Sequence, residues 1–103
     1  MNEIVARDAA HELAAQWHAE MQQLVDADEL AADSARTYRV GLDKYLHWCS
    51  TNGQRANERS TALAWVAALR QGDAKPASIN AWLSGVRAFF RWAVMPGLCQ
   101  TVR

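Results

Sequence analysis

Apolar positions recur at helical spacing in four places along this chain, and none of the intervening stretches alternates like a strand. In the first pattern, from about Val5 to Val25, Leu13, Trp17, Met21 and Leu24 follow at steps of four, four and three, and Ala9 extends the stripe. Asp26-Ala-Asp28 weakens a helix, so the stretch to Asp33 reads as a connection. Asp33 or Ser34 then offers an N-cap. Tyr38, Leu42, Tyr45 and Cys49 fall within one narrow arc, flanked by Gly41, Leu46 and Trp48. Arg36, Arg39, Val40, Asp43, Lys44 and His47 occupy the opposite face, and Asn52-Gly53 marks the stop. After a polar loop, Ser60 caps a short helix with Leu63, Val66 and Leu69 inward, and Gly72-Asp73 ends it. Pro76 suits the first turn of a last helix. There Ile79, Trp82, Leu83, Val86, Phe89, Phe90 and Ala93 share one broad face, and Pro96-Gly97 follows the end.

These patterns predict helices over 5–27, 34–51, 60–71 and 76–94. Trp17, Tyr38, Leu42, Tyr45, Val66, Leu69, Ile79, Leu83, Val86 and Phe90 are expected in one core. The fold class is all-α, a compact bundle of four helices.

With 103 residues there is room for one small domain. Half the residues are apolar and 21% are charged, which suits a folded chain rather than a disordered one. No apolar run reaches the roughly 18 residues of a membrane span. The opening MNEIVARDAAHE is polar and acidic, unlike a secretory signal. Cys49 and Cys99 are too few and too far apart for a disulfide scaffold or a zinc site, so free thiols and a cytoplasmic location are expected. No cofactor and no metal are expected, and no Gly-rich phosphate loop, GxSxG elbow or HExxH motif is present. His11 and His18, seven apart, read as two surface histidines; His47 reads as a solvent or phosphate contact, and Cys49 as a core thiol.

The net charge of zero conceals a division. Residues 1–33 carry eight carboxylates against Arg7, a net of −7, while residues 34–103 carry ten Arg and Lys against Asp43, Glu58 and Asp73, a net of +7. A basic body suits a polyanionic partner, although a charge excess also arises on any solvated face.

The cations concentrate at two helix starts. Arg36 and Arg39 lie near Ser34 and Thr37, where backbone N–H groups, hydroxyls and guanidiniums suit phosphate oxygens. A capped helix with solvated arginines has the same signature. Val40 projects from the charged face, either as a lone exposed valine or as an apolar probe for a thymine methyl. On the last helix, Lys75 and Ser78 flank the Pro76 start, and Asn80, Arg87 and Arg91 continue a polar strip. Ala77, Ala81, Ser84, Gly85 and Ala88 form a strip of small residues that permits close approach of a nucleic acid or of another helix.

Two stretches together carry a family resemblance. Ser34-Ala-Arg-Thr-Tyr38-Arg-Val-Gly-Leu42-Asp-Lys-Tyr45-Leu-His-Trp48-Cys49 resembles the first signature of the core-binding domain of tyrosine recombinases, the phage-integrase family. Lys75-Pro-Ala-Ser78-Ile79-Asn-Ala-Trp-Leu83-Ser84-Gly-Val86-Arg87-Ala-Phe89-Phe90-Arg-Trp92-Ala93 is similar to the second, and a short helix ending Leu69-Arg-Gln-Gly72 lies between them. The resemblance spans about residues 30–97. It implies a SAM-like helical bundle that forms one half of a clamp on double-stranded DNA at a recombination site. It also implies a first helix that contacts a neighbouring protomer, and a C-terminal catalytic domain elsewhere in the parent protein.

Carried over by position, the implied DNA-side residues are Ser34, Arg36, Thr37, Val40 and Lys44, with Ala77, Ser78, Ala81 and Gly85 on the last helix. The residues expected to touch DNA are Ser34, Arg36, Thr37, Arg39, Val40, Lys44, Lys75, Ser78, Asn80 and Arg87, with the two helix starts on the same side. Alanines and glycine stand where the family often has long polar side chains, which argues against base readout from the last helix. Tyr38 and Tyr45 lie on the apolar arc and lack the family's catalytic setting, so no catalytic residue is expected in this chain. The expected organisation is an acidic first helix and connection over 1–33, a basic body over 34–97, and the start of an interdomain linker over 98–103. A small helical protein-interaction module that shares only the core pattern is the alternative.

Overall fold

Aromatic side chains, spaced to meet from three directions, set the centre of this molecule. A computed structural model describes the backbone of residues 2–94 and the side chains of residues 12–93. It contains α1 (Asn2–Asp26), α2 (Ala32–Thr51), α3 (Arg59–Gln71) and α4 (Pro76–Val94), with no strand among the described residues. The expectations at Ala9, His11, Pro96, Gly97 and Cys99, and for the linker over 98–103, fall outside the described residues or side chains.

Each helix ends for a local reason. Asp28 adopts φ 62°, and the amides of Asp28 and Glu29 donate to the carbonyls of Val25 and Leu24, which closes α1 in a Schellman turn without glycine. Gly53, at φ 64°, does the same for α2, with Gly53 and Gln54 donating to Ser50 and Cys49. The Asn52 side chain also donates to the Trp48 carbonyl at 2.8 Å. Gly72 caps α3 in an extended conformation. The Lys75 carbonyl accepts the Ile79 amide, so Lys75 is the N-cap of α4 and Pro76 its first residue.

Two expected caps are corrected. Helix α2 begins upstream of Asp33 and Ser34, at Ala32, because Ala31-Ala32 extends the helix readily; Ala31 is the N-cap and no side chain caps it. Ser60 lies inside the first turn of α3, whose N-cap is Glu58, again without a side-chain hydrogen bond.

One core draws on all four helices, with α1 packed on α2 and α4. Trp17 is 1% exposed; its ring stands edge-on to Phe89 at 5.5 Å and stacks near Tyr38 at 6.3 Å. Tyr45 contacts Trp65 at 5.1 Å and Phe90 at 6.3 Å, and its hydroxyl donates to the Ala56 carbonyl at 2.5 Å, which ties down the connection after α2. Leu42 and Val86 are buried in this core as expected, Ile79 is buried outside it, and Tyr38, Val66, Leu69 and Leu83 are half-buried at its margin. Leu63 is corrected: it is 54% exposed, and α3 turns Thr61 and Trp65 inward instead.

Candidate nucleic-acid interface

The expected interface rests on α2 and α4, and two glycines determine how these helices meet. A β-carbon on Gly41 would run into the Trp82 main chain, and one on Gly85 would run into the Tyr38 main chain. The small-residue strip of α4 therefore serves helix packing at Gly85, and the DNA-side position implied for Gly85 is corrected. These paired contacts run in opposite chain directions, since three residues back on α2 correspond to three forward on α4. The two helix starts consequently extend from the crossing in opposite directions along the helix pair.

Beside the crossing, α2 and α4 each keep an exposed flank. On α2, Thr37, Val40 and Lys44 follow at steps of three and four on the flank beside Gly41. Val40 is 39% exposed, so its place on the charged face is real. The Lys44 ammonium sits over the Trp82 ring, 4.8 Å from its centroid, which joins the helices on this outer side by a cation–π contact. On α4, Asn80, Ser84, Arg87 and Arg91 are exposed, whereas Ser78 and Ala81 are half-buried. Ser78 lies one turn before Trp82, on the side that meets α2. Ser34 is half-buried and makes no cap, and the Thr37 hydroxyl donates back to the Asp33 carbonyl at 3.0 Å.

Arg36 and Arg39 point along the other flank of α2, toward α1. With His18, Gln22, Val25, Ala32 and Ala35 they line a shallow cleft between the two helices. Each guanidinium has a carboxylate nearby: Arg36 Nη2 is 3.4 Å from Asp33, and Arg39 Nε is 3.9 Å from Asp43. Both arginines are well exposed, so these pairs are weak and yield readily to another anion. Lys75, Arg87 and Arg91 form no ion pair with another described residue.

Sequence reasoning missed the roles of two members of this surface. Trp82 reads as core on the helical wheel, yet it is half-buried beneath Lys44. Asp43 holds Arg39 and also meets His18 of α1 at 3.2 Å. The i, i+4 spacing of Arg39 and Asp43 marks the first of these contacts in the sequence; nothing local marks the second.

Among the described residues, no three His, Cys, Asp or Glu side chains gather into a metal-holding group, and no described helix is long and apolar enough to cross a membrane. Cys49 is buried beside Tyr45, and burial pushes its thiol up to about 11.

Four helices packed around one aromatic core define a SAM-like all-α domain. Residues 16–97 match the family model of the phage integrase N-terminal SAM-like domain, and the chain belongs to that family. This domain is the non-catalytic N-terminal part of integrases, so the chain's role is related to tyrosine recombinases. No match was found among curated proteins or among solved structures.

Proposed function

We propose that this chain grips double-stranded DNA at a recombination site during site-specific integration. In this reading a C-terminal catalytic domain of the parent protein performs strand exchange in the cytoplasm. One observation carries the reading. The locked α2–α4 pair exposes Arg36, Arg39, Lys44, Arg87 and Arg91, with Lys75 at the start of α4, against Asp33 and Asp43 on α2 and no carboxylate on α4. Such a surface suits phosphate contacts along a duplex, with Val40 and Asn80 available to base edges. The acidic α1 faces away or meets a neighbouring protomer. Residues 34–97 form the basic body, and 98–103 lead into the linker.

An amide-shift titration with a short duplex at low salt tests this. Shifts centred on 34–44 and 75–87 support it. Shifts confined to α1, or none, reject it in favour of a protein-interaction module.

A further inference from the structure

Asp43 is the only carboxylate between Ser34 and Arg91 that lies inside a helix; Glu58 is a cap and Asp73 lies in a turn. It stands on the cationic side of α2, where a negative charge opposes phosphate binding. The structure shows what it meets. His18 Nε2 lies 3.2 Å from one carboxylate oxygen, and Arg39 Nε lies 3.9 Å from the other. The imidazole is the nearer partner, and it comes from α1, outside the two helices of the proposed DNA face.

Among the described residues, the charged and titratable groups around His18 are few. The two clefts beside it are lined by Asp43 and His47 on one side and by Arg36 and Arg39 on the other. Gln22 is its polar neighbour on α1, and α3 and α4 contribute no residue to either cleft. His18 has no charged residue three or four positions away on its own helix. Among the described residues, Asp43 is the one carboxylate it faces.

We infer that His18 is a positioning residue for Arg39, acting through Asp43; this rests on the proposed DNA-binding reading. A neutral imidazole donates one N–H to Asp43, the carboxylate keeps its full charge, and Arg39 is its nearest cation. A proton taken from solvent onto the other ring nitrogen makes His18 the nearer counter-ion. Arg39 is then released toward a phosphate. By linkage, DNA binding favours uptake of that same proton.

The test is duplex affinity at fixed low salt, compared between pH 6 and pH 8. Uptake of at most one proton limits the change to tenfold per pH unit, so the wild-type chain should bind more weakly at pH 8 by about threefold or more and by no more than about a hundredfold. His18→Gln should bind with little pH dependence, near the wild-type level at pH 8. Asp43→Asn, at an exposed position that leaves the core intact, should bind tightly across the range. Adding His18→Gln to Asp43→Asn should change nothing further. His47→Gln should keep the wild-type profile. A wild-type profile retained in His18→Gln or Asp43→Asn, or lost in His47→Gln, overturns the inference while the DNA reading stands. No binding by any variant at any pH overturns both.

Discussion

Gly41 and Trp82 meet main chain to main chain: a β-carbon on Gly41 would stand 2.6 Å from the Trp82 α-carbon. Gly85 repeats the arrangement against Tyr38 at 2.7 Å. Alanine favours a helix over glycine by about 1 kcal/mol. Here the obstructing atoms are backbone and cannot rotate aside, so overpacking costing about 1–3 kcal/mol or more prevails. Gly41→Ala and Gly85→Ala should both lower stability in urea denaturation. Gly72→Ala, where the nearest atom is 3.6 Å away and φ is negative, should be neutral or stabilising by up to ~1 kcal/mol.

Helix α3 offers a second contrast. Trp65 is 1% exposed and packed on Tyr45, so Trp65→Ala should cost about 3–5 kcal/mol. Leu63→Gln, two residues away and largely in solvent, should stay within about 0.5 kcal/mol of wild type. Leu83 is half-buried, so Leu83→Ala should fall below the roughly 2–5 kcal/mol of a fully buried leucine. Thermal unfolding of the three variants ranks them.

Tyr45 and Cys49 make the fold sensitive to alkali. Burial raises the Cys49 thiol from 9.0 to about 11 and raises the Tyr45 phenol further, with the neighbouring thiol adding to the effect. A raised folded value means that the stabilisation is complete below the unfolded value and is lost as pH climbs toward the folded one. Stability should therefore decline from about pH 9 upward. Urea midpoints between pH 7 and pH 11 would show this. In a Cys99→Ser background, Cys49 should react with a thiol reagent only as fast as the chain opens.

Salt dependence separates the cations. Contacts with about four to six phosphates imply a slope of log K against log salt of roughly −4 to −5. Lys75→Gln and Arg87→Gln should each flatten that slope by about one. Arg39→Gln should flatten it less, because Arg39 already shares Asp43.

Most of this architecture was legible because strong contrasts mark it. On α2 and α4 charged and large apolar residues fall on opposite faces, and Leu42, Tyr45, Val86 and Phe90 are buried as the wheel predicts. Helix α3 lacks such contrast: Ala62, Ala64, Ala67 and Ala68 leave most of its circumference unmarked, so a frame through Leu63 fits as well as one through Trp65. The bulk of Trp65 settles the frame only when a pocket beside Tyr45 is there to receive it. The candidate surface was legible on α2, where charge collects on one face. The pairing of His18 with Asp43 joins residues 25 apart and depends on how α1 docks. The glycine crossing was equally hidden, because a small residue permits close approach without naming the partner.

The helices that meet at Gly41 and Gly85 are not neighbours in the chain, since α3 lies between them. During folding, their contact must await closure of a segment of roughly forty residues, whose entropy cost rises only slowly with length. Adjacent helices alone do not complete this core, so neither an α1–α2 hairpin nor an α3–α4 hairpin should persist in isolation. A cut in the exposed turn at Gly53 would divide the protein into two pieces, each holding one glycine of the crossing. Their recombination would make reassembly of the domain a bimolecular reaction, dependent on concentration.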